Sequence, residues 1–337
     1  MRGDVDLLCD YAQAPIIAIT GSNAKSTVTT LVADMLTALG YNACAGGNLG
    51  RPALDLLAPA TDYYVLELSS FQLETTHALR ADVACVLNVS EDHMDRYDTL
   101  HDYQRVKQRI YRGCKAAVCN KQDILTVPLL PESTPIRAFS VASPDLKEFG
   151  LEDDGDGFWL CRGVERLIHS AQIKLQGKHN YANILASLAA LELLQVDFRS
   201  AAIQNYLADF SGLPHRCEFV RNVNGVTYIN DSKGTNVGAT IAALEGFGSA
   251  KGNIHLIAGG DGKGADFSPL IKSVKRYVKH VYVFGKDAPS LEMVLSAEVS
   301  CHRFDVLDEI VASVHELAQV GDIVLFSPAC ASLDMYK

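Results

Sequence analysis

The sequence predicts an α/β protein of two domains, each built on a mostly parallel sheet. Three observations carry this expectation. Short apolar runs that end in polar turns alternate with stretches of helical periodicity. The alternation restarts after a turn-rich segment, SGLPHR (211–216). The length of 337 residues suits two domains of ordinary size.

In the first half, PIIAIT (15–20) is an apolar run of buried-strand type. The polar turn GSNAKS follows it. Val28, Leu31, Val32, Met35, Leu36 and Leu39 then recur on one face of a helix. Gly40 is placed to end that helix. YYVLEL (63–68) and VACVLN (83–88) are further buried strands, and a helical stretch near 103–111 leads into the strand AAVCN. Over about 131–176, Pro, Gly and acidic residues punctuate short strand-like pieces such as FWLC and RLIHSAQIKL, which predicts a small antiparallel excursion on the same domain. Helical periodicity returns in YANILASLAALELL (181–194). Beyond the turn-rich segment come VTYIND, a helix near 237–244, NIHLIAGG, a helix near 269–277, HVYVFG, a helix near 307–317 and DIVLFSPA. The expected domains are residues 1–212 and 213–337.

Composition narrows the function classes. Lys and Arg total 30 against 40 Asp and Glu, a net charge of −10. A surface that coats nucleic acid is therefore not expected, and any anionic ligand must be held by local groups. No apolar run approaches the ~20 residues of a membrane span. The first residues, MRGDVDLLCDYAQ, lack the apolar core of a signal peptide. Nine cysteines without a C-x-x-C pair predict free thiols in a reducing compartment.

Three polar segments after strands carry the chemistry of the first domain. Strand–GSNAKST–helix offers a helix N-terminus to phosphate, with Lys25 as a point charge and Ser26 or Thr27 as a hydroxyl for Mg²⁺. The strict pattern G-x-x-x-x-G-K-[ST] fails, because Ile19 and Ala24 stand at its glycine positions. Taken alone, the segment also reads as a polar helix cap with an exposed lysine. Glu67 ends a strand, where it suits a Mg²⁺ ligand or an acid capping the next helix. NVSEDHMDRY (88–97) gathers Glu91, Asp92, His93 and Asp95, which fits a metal site but equally a solvated acidic loop. In the second domain INDSKGTN, AGGDGKGADFSP and SPACASLD follow strands and would line one sheet edge with polar groups.

In their order along the chain, ITGSNAKSTVTTL, GGNLG, LELSSFQLETT, LNVSEDHMDRY, GKHNYAN, LPHRCE, NDSKGTNVGAT, GGDGKGADFSP and SPACASLD resemble the bacterial Mur ligases over nearly the whole chain. LELSSFQLE and EDHMDRY are similar to the branch that adds D-glutamate. The resemblance implies a central P-loop-type domain followed by a Rossmann-like one. It implies an ATP-dependent, ADP-forming amide ligase of peptidoglycan precursor synthesis. ATP would phosphorylate the carboxylate of UDP-N-acetylmuramoyl-L-alanine, and D-glutamate would attack the acyl phosphate. The expected cofactors are ATP and Mg²⁺. The expected setting is the bacterial cytoplasm, as a monomer with small-molecule substrates.

By position, the resemblance assigns catalytic roles to Lys25, His93, Lys107 (carbamylated in the family) and Lys233. Ser22, Asn23, Ala24, Lys25, Ser26, Thr27, Asn180, Asn183, Arg216 and Asp231 would hold ATP. Ser26, Glu67, His93 and Lys107 would hold Mg²⁺. Asn48, Ser69, Gln72 and His93 would contact the muramoyl substrate. Lys233, Thr235, Lys263, Ser332 and Leu333 would form the D-glutamate pocket. Without the resemblance, Lys107 is indistinguishable from a surface lysine on a helix. Two departures stand out. Ala24 replaces the glycine before the loop lysine, a strain if φ is positive there. Against the family pattern the chain also lacks an N-terminal UDP-binding domain and a closing helix. Competing expectations are another Mur-type or folylpolyglutamate synthase-like ligase, a P-loop ATPase, and a nucleotide-binding fragment without catalysis.

Overall fold

The computed structural model describes residues 2–249, 251–332, 334 and 335. Contacts divide the chain into two compact units: Met1–Val89 with Thr99–Phe210, and Ser90–Asp98 with Ser211–Lys337. The acidic loop after the fourth strand thus groups with the second unit.

The first unit carries β1 (Ile16–Thr20), β2 (Ala43–Gly47), β3 (Tyr63–Glu67), β4 (Val83–Val86), β5 (Ala116–Asn120), β6 (Ile136–Phe139), β7 (Phe149–Asp153), β8 (Phe158–Arg162) and β9 (Glu165–His169). They form one sheet in the order β2-β3-β1-β4-β5-β6-β7-β8-β9. Its helices are α1 (Asp4–Tyr11), α2 (Lys25–Ala38), α3 (Ser70–Thr75), α4 (Leu100–Lys107), α5 (Lys178–Leu193) and α6 (Ala201–Asp209). β1 is buried along its whole length, as its unbroken apolar run requires. The chain leaves β1 toward β2 on one side, and β4 lies on the other, so the sheet reverses its winding at β1. The crevice beyond the carboxyl end of such a strand is where open α/β sheets bind ligands.

The excursion is smaller than the sequence suggests. Only the β7–β8 and β8–β9 pairings are antiparallel, whereas β6 extends the parallel sheet beside β5 and β7 joins β6 in parallel. Proline and acidic punctuation marks the loops of this region but carries no information on strand direction. α2, α5 and α6 cover the sheet with Leu31, Met35, Ile184, Leu188 and Leu207, all buried in one core. Glu192 of α5 ties that layer to the sheet. It accepts from Arg137 Nε of β6 at 2.7 Å and from Arg162 Nη2 of β8 at 2.7 Å. Burial alone would raise its carboxyl, but the two arginines hold it below the ordinary glutamate range.

The second unit holds β10 (Glu218–Val223), β11 (Val226–Asn230), β12 (Ile254–Gly259), β13 (Val278–Phe284), β14 (Ser300–Arg303) and β15 (Ile323–Phe326), in the order β10-β11-β15-β12-β13-β14. β10 pairs antiparallel with β11, and the rest are parallel. The helices α7 (Val237–Phe247), α8 (Leu270–Tyr277), α9 (Ala288–Leu295) and α10 (Leu307–Leu317) complete it. Because β15 returns between β11 and β12, the loops after these three strands share one edge. All nine cysteines are free, as expected. Among the described residues no helix is long and apolar enough to cross a membrane.

Replacing Glu192 by Ala leaves two half-buried guanidinium groups without their shared acceptor. The expected loss is about 2 kcal/mol, the scale of hydrogen bonds to a charged group. Urea unfolding of Glu192→Ala beside Glu192→Gln measures it; equal stability of all three proteins would contradict the assignment.

Candidate active site

The first unit places GSNAKST as the turn between β1 and α2. Ala24 is the N-cap of α2 with φ 65° and ψ 0°, in the left-handed region, and its methyl group caps nothing. The strain anticipated for a non-glycine residue is therefore real and amounts to about 1–2 kcal/mol. Ser22, Ser26 and Thr27 are buried beside the turn, and Asn23 and Lys25 are half-buried. Lys25 Nζ folds back onto the carbonyls of Gly21 at 2.8 Å and Ser22 at 3.0 Å.

Lys107 is the residue sequence reasoning could not distinguish. It lies at the end of α4, only 1% exposed, with Nζ 2.9 Å from the same Gly21 carbonyl. The ammonium also sits over the Tyr103 ring at 4.4 Å from its centroid. Two ammonium groups thus share one carbonyl oxygen beside a helix N-terminus, a concentration of positive charge that calls for an anion.

Glu67 closes β3 and is 2% exposed. Its Oε1 accepts from Asn48 Nδ2 at 2.8 Å, and its carbonyl accepts from Asn48 N–H at 2.9 Å. Gly47 makes this approach possible: a Cβ there would stand 2.5 Å from the Glu67 carbonyl oxygen, and φ is +96°. Glu67 Oε2 is buried with no hydrogen-bond partner. A buried carboxylate oxygen left so is costly unless a cation or donor meets it. Together with the buried Ser26 hydroxyl and the phosphates of a nucleotide, it makes a donor set of the kind Mg²⁺ takes, with few protein ligands. Among the described residues no cluster of three or more His, Cys, Asp or Glu side chains is placed to hold a metal by itself.

Ser69 and Gln72 have a structural occupation that the motif did not reveal. They form a capping box at the start of α3, with Gln72 N–H donating to Ser69 Oγ at 3.2 Å and Ser69 N–H to Gln72 Oε1 at 3.1 Å. Asn180 and Asn183 lie in the first turns of α5. Asn180 is buried and donates to the Gln176 carbonyl at 2.8 Å, and Asn183 Nδ2 lies 3.4 Å from Asn180 Oδ1.

Arg216, Asp231 and the remaining predicted residues lie in the second unit. Asp231, just past β11, is buried, and its carboxylate accepts from Ser327 Oγ at 2.7 Å and Cys217 N–H at 3.1 Å. Burial dominates and pushes its carboxyl up to about 6, although Ser327, Cys217 and Arg216 all pull it down. Lys233 is exposed and Thr235 half-buried on the following turn. Lys263 has φ 52°, and its Nζ meets Asp92 Oδ1 at 2.8 Å. Asn236, which caps α7, also reaches Asp92, at 3.3 Å from Oδ2. His93 follows with φ 59°, and its N–H bonds Asp92 Oδ1 at 3.0 Å. The loops after β12 and β15 are joined by reciprocal bonds of 2.8 Å between Asp261 and Ala331, which brings exposed Ser332 beside the loop of Lys263. Leu333 lies outside the described residues. The sequence placed Asp92 in an acidic cluster suited to a metal or to solvent, not as the partner of Lys263, and assigned no role to Asn236.

Residues 19–191 match the Mur ligase middle domain, and residues 215–330 match the Mur ligase glutamate ligase domain. The chain belongs to the Mur ligase family. It is 51% identical to a UDP-N-acetylmuramoylalanine--D-glutamate ligase of Pseudomonas aeruginosa over 100% of this chain and 75% of that protein. The ligase of the same name from Acinetobacter baylyi is 50% identical, over 99% of this chain and 75% of the relative. The solved structure of MurF from Acinetobacter baumannii superposes with a TM-score of 0.74 at 19% identity, covering 96% of this chain and 75% of that one. MurF from Thermotoga maritima, in complex with ADP, gives 0.73 at 21% identity, covering 97% and 80%. These structural likenesses establish the fold of this Mur ligase.

Two outcomes follow from the geometry. Ala24→Gly removes the left-handed penalty and adds unfolded-state entropy, so the net expectation is a gain of about 0.5–1 kcal/mol. A lower urea midpoint for this variant would contradict the φ value. Asp231 is raised in the folded state, so its contribution is fully present below pH 4 and is lost as pH rises through about 6. Compared with Asp231→Asn, the native protein should lose on the order of 3 kcal/mol of unfolding free energy between pH 4 and 7. A difference independent of pH would refute this.

Proposed function

We propose that this Mur ligase joins D-glutamate to UDP-N-acetylmuramoyl-L-alanine at the expense of ATP, as a monomer in the bacterial cytoplasm. The observation that carries the reading is the Lys25 ammonium at the Gly21 carbonyl, set beside the N-terminus of α2 and a buried Glu67 with one oxygen unmet. That arrangement suits the phosphates of ATP with a divalent cation. The 51% and 50% identical relatives, both D-glutamate ligases by name, supply the acceptor.

In this reading Ser22, Asn23, Ala24, Lys25, Ser26 and Thr27 cradle the phosphates. Lys25 neutralises the charge that develops on the transferred phosphoryl group. Asn180, Asn183, Arg216 and Asp231 make the adenine, ribose and phosphate contacts. Ser26, Glu67, His93 and Lys107 would hold Mg²⁺, with Lys107 joining as its carbamate, which replaces an ammonium by an anion. Bound there, Mg²⁺ screens the phosphates from the incoming carboxylate. Asn48, Ser69, Gln72 and His93 orient the muramoyl substrate. Its carboxylate oxygen attacks the γ-phosphorus, ADP leaves, and the acyl phosphate now carries a good leaving group. The D-glutamate amine then attacks the acyl carbon and phosphate departs. Lys233, Thr235, Lys263, Ser332 and Leu333 form the D-glutamate pocket, whose cations for the two carboxylates are Lys233 or Lys263; at Lys263 a substrate carboxylate competes with Asp92, its present partner.

Phosphate release with ATP, Mg²⁺, UDP-N-acetylmuramoyl-L-alanine and one amino acid at a time tests the proposal. Release should require D-glutamate, and Lys25→Ala should lower it at least ~100-fold. Turnover that ignores the amino acid would make the protein an ATPase, and dependence on a different amino acid would place it on another branch of the family.

A further inference from the structure

Asn88 lies two residues beyond β4 and belongs to none of the residue sets assigned above. Its main-chain carbonyl accepts from Ser22 N–H at 2.9 Å. Its side chain does more: Oδ1 accepts from Asn23 N–H at 2.8 Å, and Nδ2 lies 3.2 Å from the Asn23 carbonyl, to which it donates. Three consecutive peptide units of the β1–α2 turn are thereby held from a neighbouring strand, immediately before the left-handed Ala24.

The chemistry of the contact selects the residue type. The main chain of Asn23 presents one donor and one acceptor, and a side-chain carboxamide answers both at once. An aspartate at 88 would accept but not donate, and an alanine would do neither. Asn88 is itself fixed on both sides. Leu87 N–H donates to the Thr20 carbonyl at 3.0 Å, and Asn120 Nδ2 reaches the Leu87 carbonyl at 3.3 Å. Val89 N–H donates to Asp123 Oδ2 at 2.7 Å. A rigid platform built from β5 and the turn after it thus ends in one carboxamide that grips the loop.

We propose that Asn88 is a positioning residue for the nucleotide: its carboxamide holds the main chain of Asn23 on both sides so that Ala24 keeps its strained conformation and the start of α2 stays aimed at the phosphates. The inference rests on the ATP reading above. It also explains how this chain keeps an alanine where the loop pattern calls for glycine. Strain at Ala24 favours relaxation of the turn, and the Asn88 bonds oppose it.

The test is nucleotide affinity measured by calorimetry with ADP and Mg²⁺, together with steady-state kinetics. Asn88→Ala should weaken ADP binding and raise the KM for ATP about 10-fold, while the KM for D-glutamate stays within twofold. In the Ala24→Gly background the same substitution should cost less, about threefold, because glycine holds the left-handed conformation without the clamp. A merely structural role would lower the melting temperature and the active fraction but leave the KM for ATP unchanged, and that result overturns the proposal. So does an equal effect of Asn88→Ala in both backgrounds. Where Asn88→Ala does not fold, Asn88→Asp keeps the acceptor and carries the same comparison. A native protein that binds no ADP overturns the functional reading itself, whereas native binding with unchanged variant binding overturns only the role of Asn88.

Discussion

The Gly21 carbonyl is the point on which the first unit turns. It lies just past the C-terminal end of a fully buried strand, and it takes hydrogen bonds from both Lys25 and Lys107. One lysine comes from the helix that follows, the other from a helix 86 residues away in sequence. Two cations gathered on one neutral oxygen repel each other in a poorly hydrated place. An anion bound nearby would relieve that repulsion.

Sheet topology supplies the rest of the neighbourhood. The winding reverses at β1, so its carboxyl end is flanked by those of β3 and β4. β3 brings Glu67, and the segment after β4 brings Asn88. A βαβ chain cannot place these three segments side by side by local rules; it does so through parallel crossovers. The close approach at Gly47 then locks Asn48 onto Glu67, leaving the other carboxylate oxygen unmet. In the second unit the same principle gathers the loops after β11, β12 and β15. There Gly260 permits contact with the Ala331 carbonyl, where a Cβ would collide. Asp231 is buried among Ser327 and Cys217, and its raised carboxyl reflects that burial more than any charged neighbour.

Much of the architecture was legible in the residues. The run at 15–20 could only be a buried strand, and the periodic face of Val28 to Leu39 only a helix against it. The switch to short antiparallel strands was visible in outline, though not the parallel direction of β6, because direction depends on the connection and not on composition. Lys107 was opaque for a similar reason. A lysine on a helix is usually solvated, and its burial is decided by what α4 packs against. Ser69 and Gln72 look like site residues in the motif, yet they also cap their own helix.

By itself the sequence determined the strand–turn–helix order, the acidic balance, the free thiols and the family, since these depend on local propensity and on motif order. Only the tertiary structure decided that Ala24 is left-handed, that Lys25 and Lys107 meet at one carbonyl, that Glu67 keeps an unmet oxygen, and that Asn88 clamps the loop. Each of these is set by segments distant along the chain that the sheet brings within hydrogen-bonding reach, and no local pattern encodes such a distance.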